Sequence, residues 1–203
     1  MEKEDIWAAG KQILLEAPVL YIEVDVEADG IAGYGSMLSI GAQSITGENF
    51  YSEIKPYSEV YLEEHRAMAI KFGIDIEKLE KEAPTIQMVM HNFYNWTMEL
   101  KNKYKKQPIF SAHNAAFDWA HVDLGFRLAG IHDYPFGIAP LDLKSLSLGL
   151  TKNWDFNHTT RDDLPTDILP TEKFTHDPLE DARFQQKIHY GLAYKLIDTN
   201  KHN

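Results

Sequence analysis

The stretch Val19-Leu20-Tyr21-Ile22-Glu23-Val24-Asp25-Val26-Glu27-Ala28-Asp29-Gly30 decides how the chain is read. Leu20, Ile22, Val24 and Val26 fall on one side of an extended chain and Tyr21, Glu23, Asp25 and Glu27 on the other, which is the two-residue period of a β-strand. Asp29-Gly30 ends the strand with a turn signal. Asp25 and Glu27 leave the same face at the carboxyl end, and two carboxylates held that close attract a hard divalent cation. The plainer account is a solvated polar face on a half-buried strand, and Glu23 on the same face favours it.

Outward from this strand the signals alternate. Residues 36–45 and 49–55 are β-like and join through Thr46-Gly47-Glu48, a hairpin signal that makes the first pairings antiparallel. After Pro84 the spacing becomes helical, with Ile86, Val89, Met90, Phe93, Trp96, Leu100 and Tyr104 at steps of three and four. A short strand over 108–112, a helix over 115–128 and a strand over 136–141 follow, and then a helical turn from Asp142. Residues 4–15 form a leading helix, 151–175 an extended loop carrying Trp154 and Phe156, and 178 to about 195 a final helix. Hairpin strands followed by β-α-β units predict a mixed α/β sheet with helices on both faces. No repeat, low-complexity tract or linker divides residues 1–203, so one domain is expected.

Two further clusters stand at helix starts. In His113-Asn114-Ala115-Ala116-Phe117-Asp118, Asn114 is suited to cap a helix whose positive end stabilises an ionised Asp118. A capped helix with a surface aspartate explains the same residues. In His176-Asp177-Pro178-Leu179-Glu180-Asp181, Asp177 as cap, Pro178 in the first position and Glu180 two beyond it make a helix start that leaves His176 outside and Asp181 in the first turn. A plain capping box with an incidental histidine is the alternative.

Together the three clusters resemble the DEDDh group of DnaQ-like 3′–5′ exonucleases, whose fold is ribonuclease-H-like. Asp25 and Glu27 match the group's Asp-x-Glu, Asn114 and Asp118 its Asn-x-x-x-Asp, and His176 and Asp181 its His followed five residues later by Asp. The resemblance spans about residues 18–195, and Glu23 departs from the apolar residue more usual at its position. It implies a metal-dependent exonuclease that hydrolyses phosphodiester bonds at the 3′ end of single-stranded RNA or DNA and releases nucleoside 5′-monophosphates. It further implies Asp25, Glu27, Asp118 and Asp181 as ligands of two divalent cations, Mg²⁺ or Mn²⁺, and His176 as the base, completing a catalytic set of five. A catalytically idle nucleic-acid- or partner-binding module and a small-nucleotide or dinucleotide phosphodiesterase are the competing functions.

Composition constrains the partners. The 203 residues are 44% hydrophobic and 25% charged, with 20 Lys plus Arg against 31 Asp plus Glu and a formal net charge of -11, so no global basic field draws in nucleic acid or an anionic membrane. Lys101, Lys103, Lys105 and Lys106 form the only dense basic run, either a phosphate contact or a solvated helix end. Trp119, Trp154 and Phe156 are candidates for stacking on bases, with Trp119 better suited to the core. Asp142 most simply caps the following helix, with an approach to the site from the end of the preceding strand as the alternative; His91, His121 and His189 lack ligand spacing and read as structural or surface; Arg183 and Lys187 are suited to pair with acidic neighbours. The absence of cysteine rules out disulfides and thiolate chemistry and fits a reducing, cytoplasmic setting. Met1-Glu2-Lys3-Glu4-Asp5 is not a secretory n-region, and no stretch approaches the roughly 20 apolar residues of a bilayer span. A homodimer is compatible with the sequence.

Overall fold

Residues 19–28 form the middle strand of a five-stranded sheet, where both faces are covered. The computed structural model describes residues 2–152, 155–156, 160 and 163–201. In chain order the elements are α1 (Lys3–Glu16), β1 (Val19–Ala28), β2 (Met37–Ser44), β3 (Asn49–Glu53), α2 (Glu63–Lys71), α3 (Ile76–Glu82), α4 (Ile86–Tyr104), β4 (Gln107–Ala112), α5 (Ala116–Leu128), β5 (Leu141–Asp142), α6 (Leu143–Thr151) and α7 (Pro178–Lys201). The sheet order is β3-β2-β1-β4-β5, with β1–β2 and β2–β3 antiparallel and β1–β4 and β4–β5 parallel. This is the expected mixed sheet, and helices cover both of its sides.

The apolar side of β1 enters the main core. Leu20, Ile22 and Val24 are fully buried beside Met90 and Phe93 of α4 and Val122 and Phe126 of α5. The helical stripe read after Pro84 supplies this layer, and Thr85 caps α4 by accepting from the Met88 amide. The acidic side of β1 is also covered, because α7 packs across β1 and β2. Glu23 has no exposed surface and Asp25 has 6%, so the solvated face that Glu23 suggested is not what forms.

The close approach of α7 depends on Gly41. It lies on β2 directly opposite Asp25, and a Cβ there would stand 2.2 Å from the backbone nitrogen of Leu179 and from the carbonyl carbon of Pro178. Both contacts are backbone, which cannot swing away. A second hydrophobic cluster, with Ile6, Leu143, Leu164, Ile168, Phe184, Ile188 and Leu192, fastens the segment before α7 against α1 and α7. Lys3 Nζ donates to the Leu169 carbonyl at 2.6 Å and Trp7 Nε1 to that of Ile168 at 3.1 Å, so the described part of the expected 151–175 loop is anchored.

Three expectations are corrected. Helices α2 and α3 occupy a region that periodicity left unassigned, since Ala69 is the sole buried residue of α2 and so few apolar contacts leave no stripe to read. The strand expected over 136–141 shrinks to Leu141–Asp142, because Gly137 has a φ of 80° and Pro140 has no amide hydrogen for a ladder. Asn114 does not cap α5: it sits at a φ of 65°, Ala115 is the N-cap, and no side chain caps that helix. The caps assigned to Asp142 and Asp177 do form.

Gly41→Ala should therefore displace the start of α7. Overpacking of this kind destabilises by about 1–3 kcal/mol, which for a chain of this length lowers the melting temperature by roughly 2–12 °C. A melt of that variant within 1 °C of wild type would show that the contact is not tight.

Candidate active site

The acidic edge of β1 is completed by backbone amides left over where strands end. Parallel pairing of β4 with β1 stops at Glu23, so the flank of β1 beyond it has no strand partner. The amide of Val26, between Asp25 and Glu27, donates instead to Asp118 Oδ1 at 3.0 Å, which brings the first turn of α5 onto β1. A register shift against β2 between Glu27 and Ala28 turns the end of the strand at the same point.

Asp181 organises the other wall. Its Oδ1 accepts from the Thr175 amide at 2.8 Å and the Thr175 hydroxyl at 3.1 Å, and its Oδ2 from the His176 amide at 2.7 Å. These bonds hold His176 at a φ of 60°, a conformation that a residue with a side chain seldom adopts without such support. The imidazole stacks on Phe72, ring centroids 3.6 Å apart, and meets the edge of Phe174 at 5.3 Å. Its Nδ1 lies 3.5 Å from Glu27 Oε1. Ligand-capable atoms of Glu27, His176 and Asp181 all lie within 4.8 Å of one another.

Burial and mutual repulsion raise the acids. Glu27 is pushed up to about 8, chiefly by desolvation and then by Asp181, Asp118 and Asp177. Asp118 is held well above the carboxylate range by burial, with Asp142 adding to the effect. Asp181 is also raised, because desolvation outweighs the three hydrogen bonds it accepts. Like charges forced together out of water are what a divalent cation relieves. Beside them opens a cavity of about 360 Å³ lined by Val26, Glu27, His65, Met68, Phe117 and His176, among others, at the small end of ligand pockets.

All five residues expected at the site thus lie at one end of the sheet. Other candidates do not. The lysine run precedes Gln107, which pairs with Val19, so Lys106 lies roughly 26 Å from Glu27 at about 3.3 Å per strand residue. Lys103 pairs there with Glu48. Trp119 packs edge-on against Phe110 in the core layer, Phe156 is exposed beneath Lys144, and Trp154 lies outside the described residues. Arg183 and Lys187 pair with Glu180 and Glu172. Buried His121 holds the Gly30 carbonyl through Nε2 at 3.2 Å, and burial pushes its pKa down to about 4.

Three more residues contribute: Gln185, which sequence reasoning missed, and Asp142 and His189, whose partners it did not give. Asp142 caps α6 and also accepts the Asn114 and Ala115 amides at 2.9 and 3.1 Å, so it shapes the turn that precedes Asp118. Gln185 donates to Asp25 Oδ1 at 2.6 Å, and His189 meets Glu23 through Nδ1 at the same distance. The available signal was the four-residue spacing of Asp181, Gln185 and His189.

The chain is 33% identical over 186 residues to the 3′–5′ DNA exonuclease Cap18 of Escherichia coli, covering 90% of this chain and 95% of that protein. It belongs to the DnaQ-like 3′–5′ exonucleases. The PolC-type DNA polymerase III of Staphylococcus saprophyticus is 25% identical over 138 residues, 67% of this exonuclease and 9% of the polymerase. No family model matches. The fold is shared with the nuclease domain of 3′hExo, a DEDDh family member solved with rAMP, at a TM-score of 0.65 and 15% identity over 89% of this chain and 92% of that one. It is shared too with Escherichia coli Exonuclease I in complex with a dT13 oligonucleotide, at 0.66 and 11% over 91% and 43%. Among the described residues of the exonuclease, no helix is long and apolar enough to cross a membrane.

The raised acids set the pH dependence of the metal-free fold. A carboxyl whose folded pKa exceeds its unfolded value adds stability that is complete below the unfolded pKa and lost as pH rises through the folded one. With Glu27 rising from 4.5 to about 8, the melting temperature in a chelator should fall between pH 5 and pH 9. Saturating Mn²⁺ should flatten that fall. A chelated protein whose melting temperature rises across this range would contradict the electrostatics.

Proposed function

We propose that Asp25, Glu27, Asp118 and Asp181 hold two divalent cations, Mg²⁺ or Mn²⁺, and that His176 accepts the proton of the attacking water at the 3′ end of single-stranded DNA. The product is a nucleoside 5′-monophosphate. The observation that carries the reading is the gathering of these acids and one histidine from β1, α5 and the start of α7, with Glu27 pushed up to about 8 when no cation balances them. Carboxylate oxygens without cysteine suit hard, oxygen-seeking ions.

The residues fit the cations. An ionised carboxylate has about four lone-pair positions, and Asp181 uses three in holding Thr175 and His176, which leaves Oδ2 able to accept once more. Atoms around one Mg²⁺ lie up to about 4.2 Å apart, and two of the four acids, Glu27 and Asp181, offer oxygens within 4.8 Å of each other and of a His176 ring nitrogen. When bound, such ions neutralise the cluster and polarise the scissile phosphodiester. Around them the chain positions and deprotonates. Phe72 and Phe174 hold the His176 ring toward Glu27, at the mouth of the cavity. There the imidazole takes the proton, and Val26, Met68 and Phe117 offer the terminal nucleoside an apolar wall. DNA is favoured over RNA because the relative matched over 95% of its own length is a DNA exonuclease.

The test is incubation of 5′-labelled single strands with Mn²⁺ or EDTA, resolved at nucleotide level. Stepwise shortening from the 3′ end is expected with Mn²⁺ alone, faster on DNA than on RNA, and a circular single strand should survive. Rapid cutting of the circle would overturn the reading.

His176→Ala should lower kcat by about 10²–10⁴-fold, the usual contribution of a positioned base, with a smaller change in KM. Asp118→Asn keeps an oxygen for the Val26 amide while removing the charge, so it should abolish Mn²⁺-dependent release without lowering the melting temperature in EDTA. Turnover at the wild-type rate in either variant would remove that residue from its role.

A further inference from the structure

Three successive turns of α7 present Asp181, Gln185 and His189 to three alternate residues of β1, Glu27, Asp25 and Glu23. Four helical residues advance about 6.0 Å and two strand residues about 6.6–6.8 Å, so the repeats match closely enough for each turn to meet one acid. At the far rung His189 Nδ1 lies 2.6 Å from Glu23 Oε1, and Tyr21 packs edge-on against the imidazole at 4.8 Å. At the near rung Asp181 stands with Glu27 and His176.

The middle rung is a single amide that joins three elements. Gln185 Oε1 accepts from the His113 backbone amide at 2.9 Å, and a backbone N–H can only donate. That contact orients the amide, so Nε2 is the end that reaches Asp25 Oδ1 at 2.6 Å. Gln185 is 1% exposed and Asp25 6%, so bulk water cannot readily replace either bond. His113 opens the connection between β4 and α5, and Asp118 follows five residues later.

We propose that Gln185 is a positioning residue for the cation site: it fixes the Asp25 carboxylate and sets the distance from β1 to the turn that carries Asp118. The inference rests on the reading of Asp25 as a cation ligand. A neutral donor suits the place, since it satisfies one carboxylate oxygen without cancelling the charge that a cation needs. A lysine or arginine in the same position would compete with the ion for that charge.

The experiment measures Mn²⁺ binding to the substrate-free protein by calorimetry, alongside kcat and KM on a single-stranded oligonucleotide. Gln185→Met keeps the length of the side chain and loses both hydrogen bonds. Partners of this kind around metal ligands are worth about 10–100-fold in affinity or activity, so the Mn²⁺ Kd should rise and kcat fall by about tenfold or more. KM should move by less than about threefold, because the loss concerns the reacting centre rather than the strand. Gln185→Asn, one methylene too short to span both partners, should behave alike and serves if the Met variant does not fold. In an Asp25→Asn background the Gln185 substitution should add little, as a shared pathway requires.

A purely structural role would lower the melting temperature in EDTA while leaving the Mn²⁺ Kd within twofold of wild type, and that result overturns the inference. If Asp25→Asn itself leaves the Mn²⁺ Kd unchanged, the ligand reading of Asp25 fails, and the inference fails with it. If Asp25→Asn weakens Mn²⁺ and neither Gln185 variant does, only the role of Gln185 is lost.

Discussion

A strand bearing Glu23, Asp25 and Glu27 at alternate positions is buried on its acidic side, and the rest of the molecule answers to that fact. A carboxylate removed from water without compensation is costly enough that it is either paired, hydrogen-bonded or protonated. The chain uses a different remedy at each position. Glu23, deepest along α7, faces an imidazole at 2.6 Å; Asp25 receives a neutral amide; Glu27, at the edge, has the His176 ring only at 3.5 Å, stands among other acids and rises to about 8. Compensation therefore declines toward the end of the strand that opens on the cavity. On the proposed reading, a cation supplies at this end the compensation that the fold itself does not.

The same chemistry builds the walls. Asp118 holds the Val26 amide, Asp142 those of Asn114 and Ala115, Asp181 those of Thr175 and His176, and Asp29 that of Ser36. Each of these amides lies where a strand has lost its neighbour, where a turn precedes a helix or, for Ser36, in the loop that leads into β2, so it would otherwise lack a partner. A short aspartate side chain satisfies such a donor with little loss of rotamer entropy. On the proposed reading, one carboxylate in each of Asp118 and Asp181 carries two duties, fixing a turn and holding a cation. That is why Asp118→Asn is more informative than replacement by Ala: the amide oxygen of Asn preserves the turn.

What could be read beforehand follows from range. The alternation of β1, the stripe of α4 and the helix start at Asp177 are local patterns, each legible because one element's neighbours impose one period on it. The gathering of Asp25, Glu27, Asp118, His176 and Asp181 was legible through resemblance, since their spacing alone leaves plain helix caps and a solvated strand as competing accounts. The burial of Glu23 was not legible, because it depends on α7 lying over β1, and the absence of a side chain at Gly41 lets the start of α7 come close. Helix α2 was silent because it buries so little, yet the turn after it supplies Phe72, which fixes the His176 ring. The second duty of Asp142 was hidden for a different reason. A cap can be inferred from the residues that follow it, but a bond to Asn114, 28 residues upstream, cannot.

The charge distribution bears on how such a site meets a polyanion. The chain carries a formal charge of -11, its dense lysine run lies at the opposite end of the sheet, and Arg183 and Lys187 near the start of α7 are engaged by Glu180 and Glu172. Nucleic-acid affinity in most proteins comes from cationic side chains that displace counterions along the backbone. On the proposed reading, attraction for a strand is also concentrated at the acidic end of β1, where cations would sit among the four carboxylates. A phosphate gains it only by reaching the end of β1, next to a cavity of about 360 Å³. Such a cavity is closer in size to one nucleoside than to a strand passing through. On the proposed reading, an acidic surface around a cation-loaded cleft disfavours internal segments and rewards termini. The chain's overall negative charge thus works with the preference for ends rather than against binding.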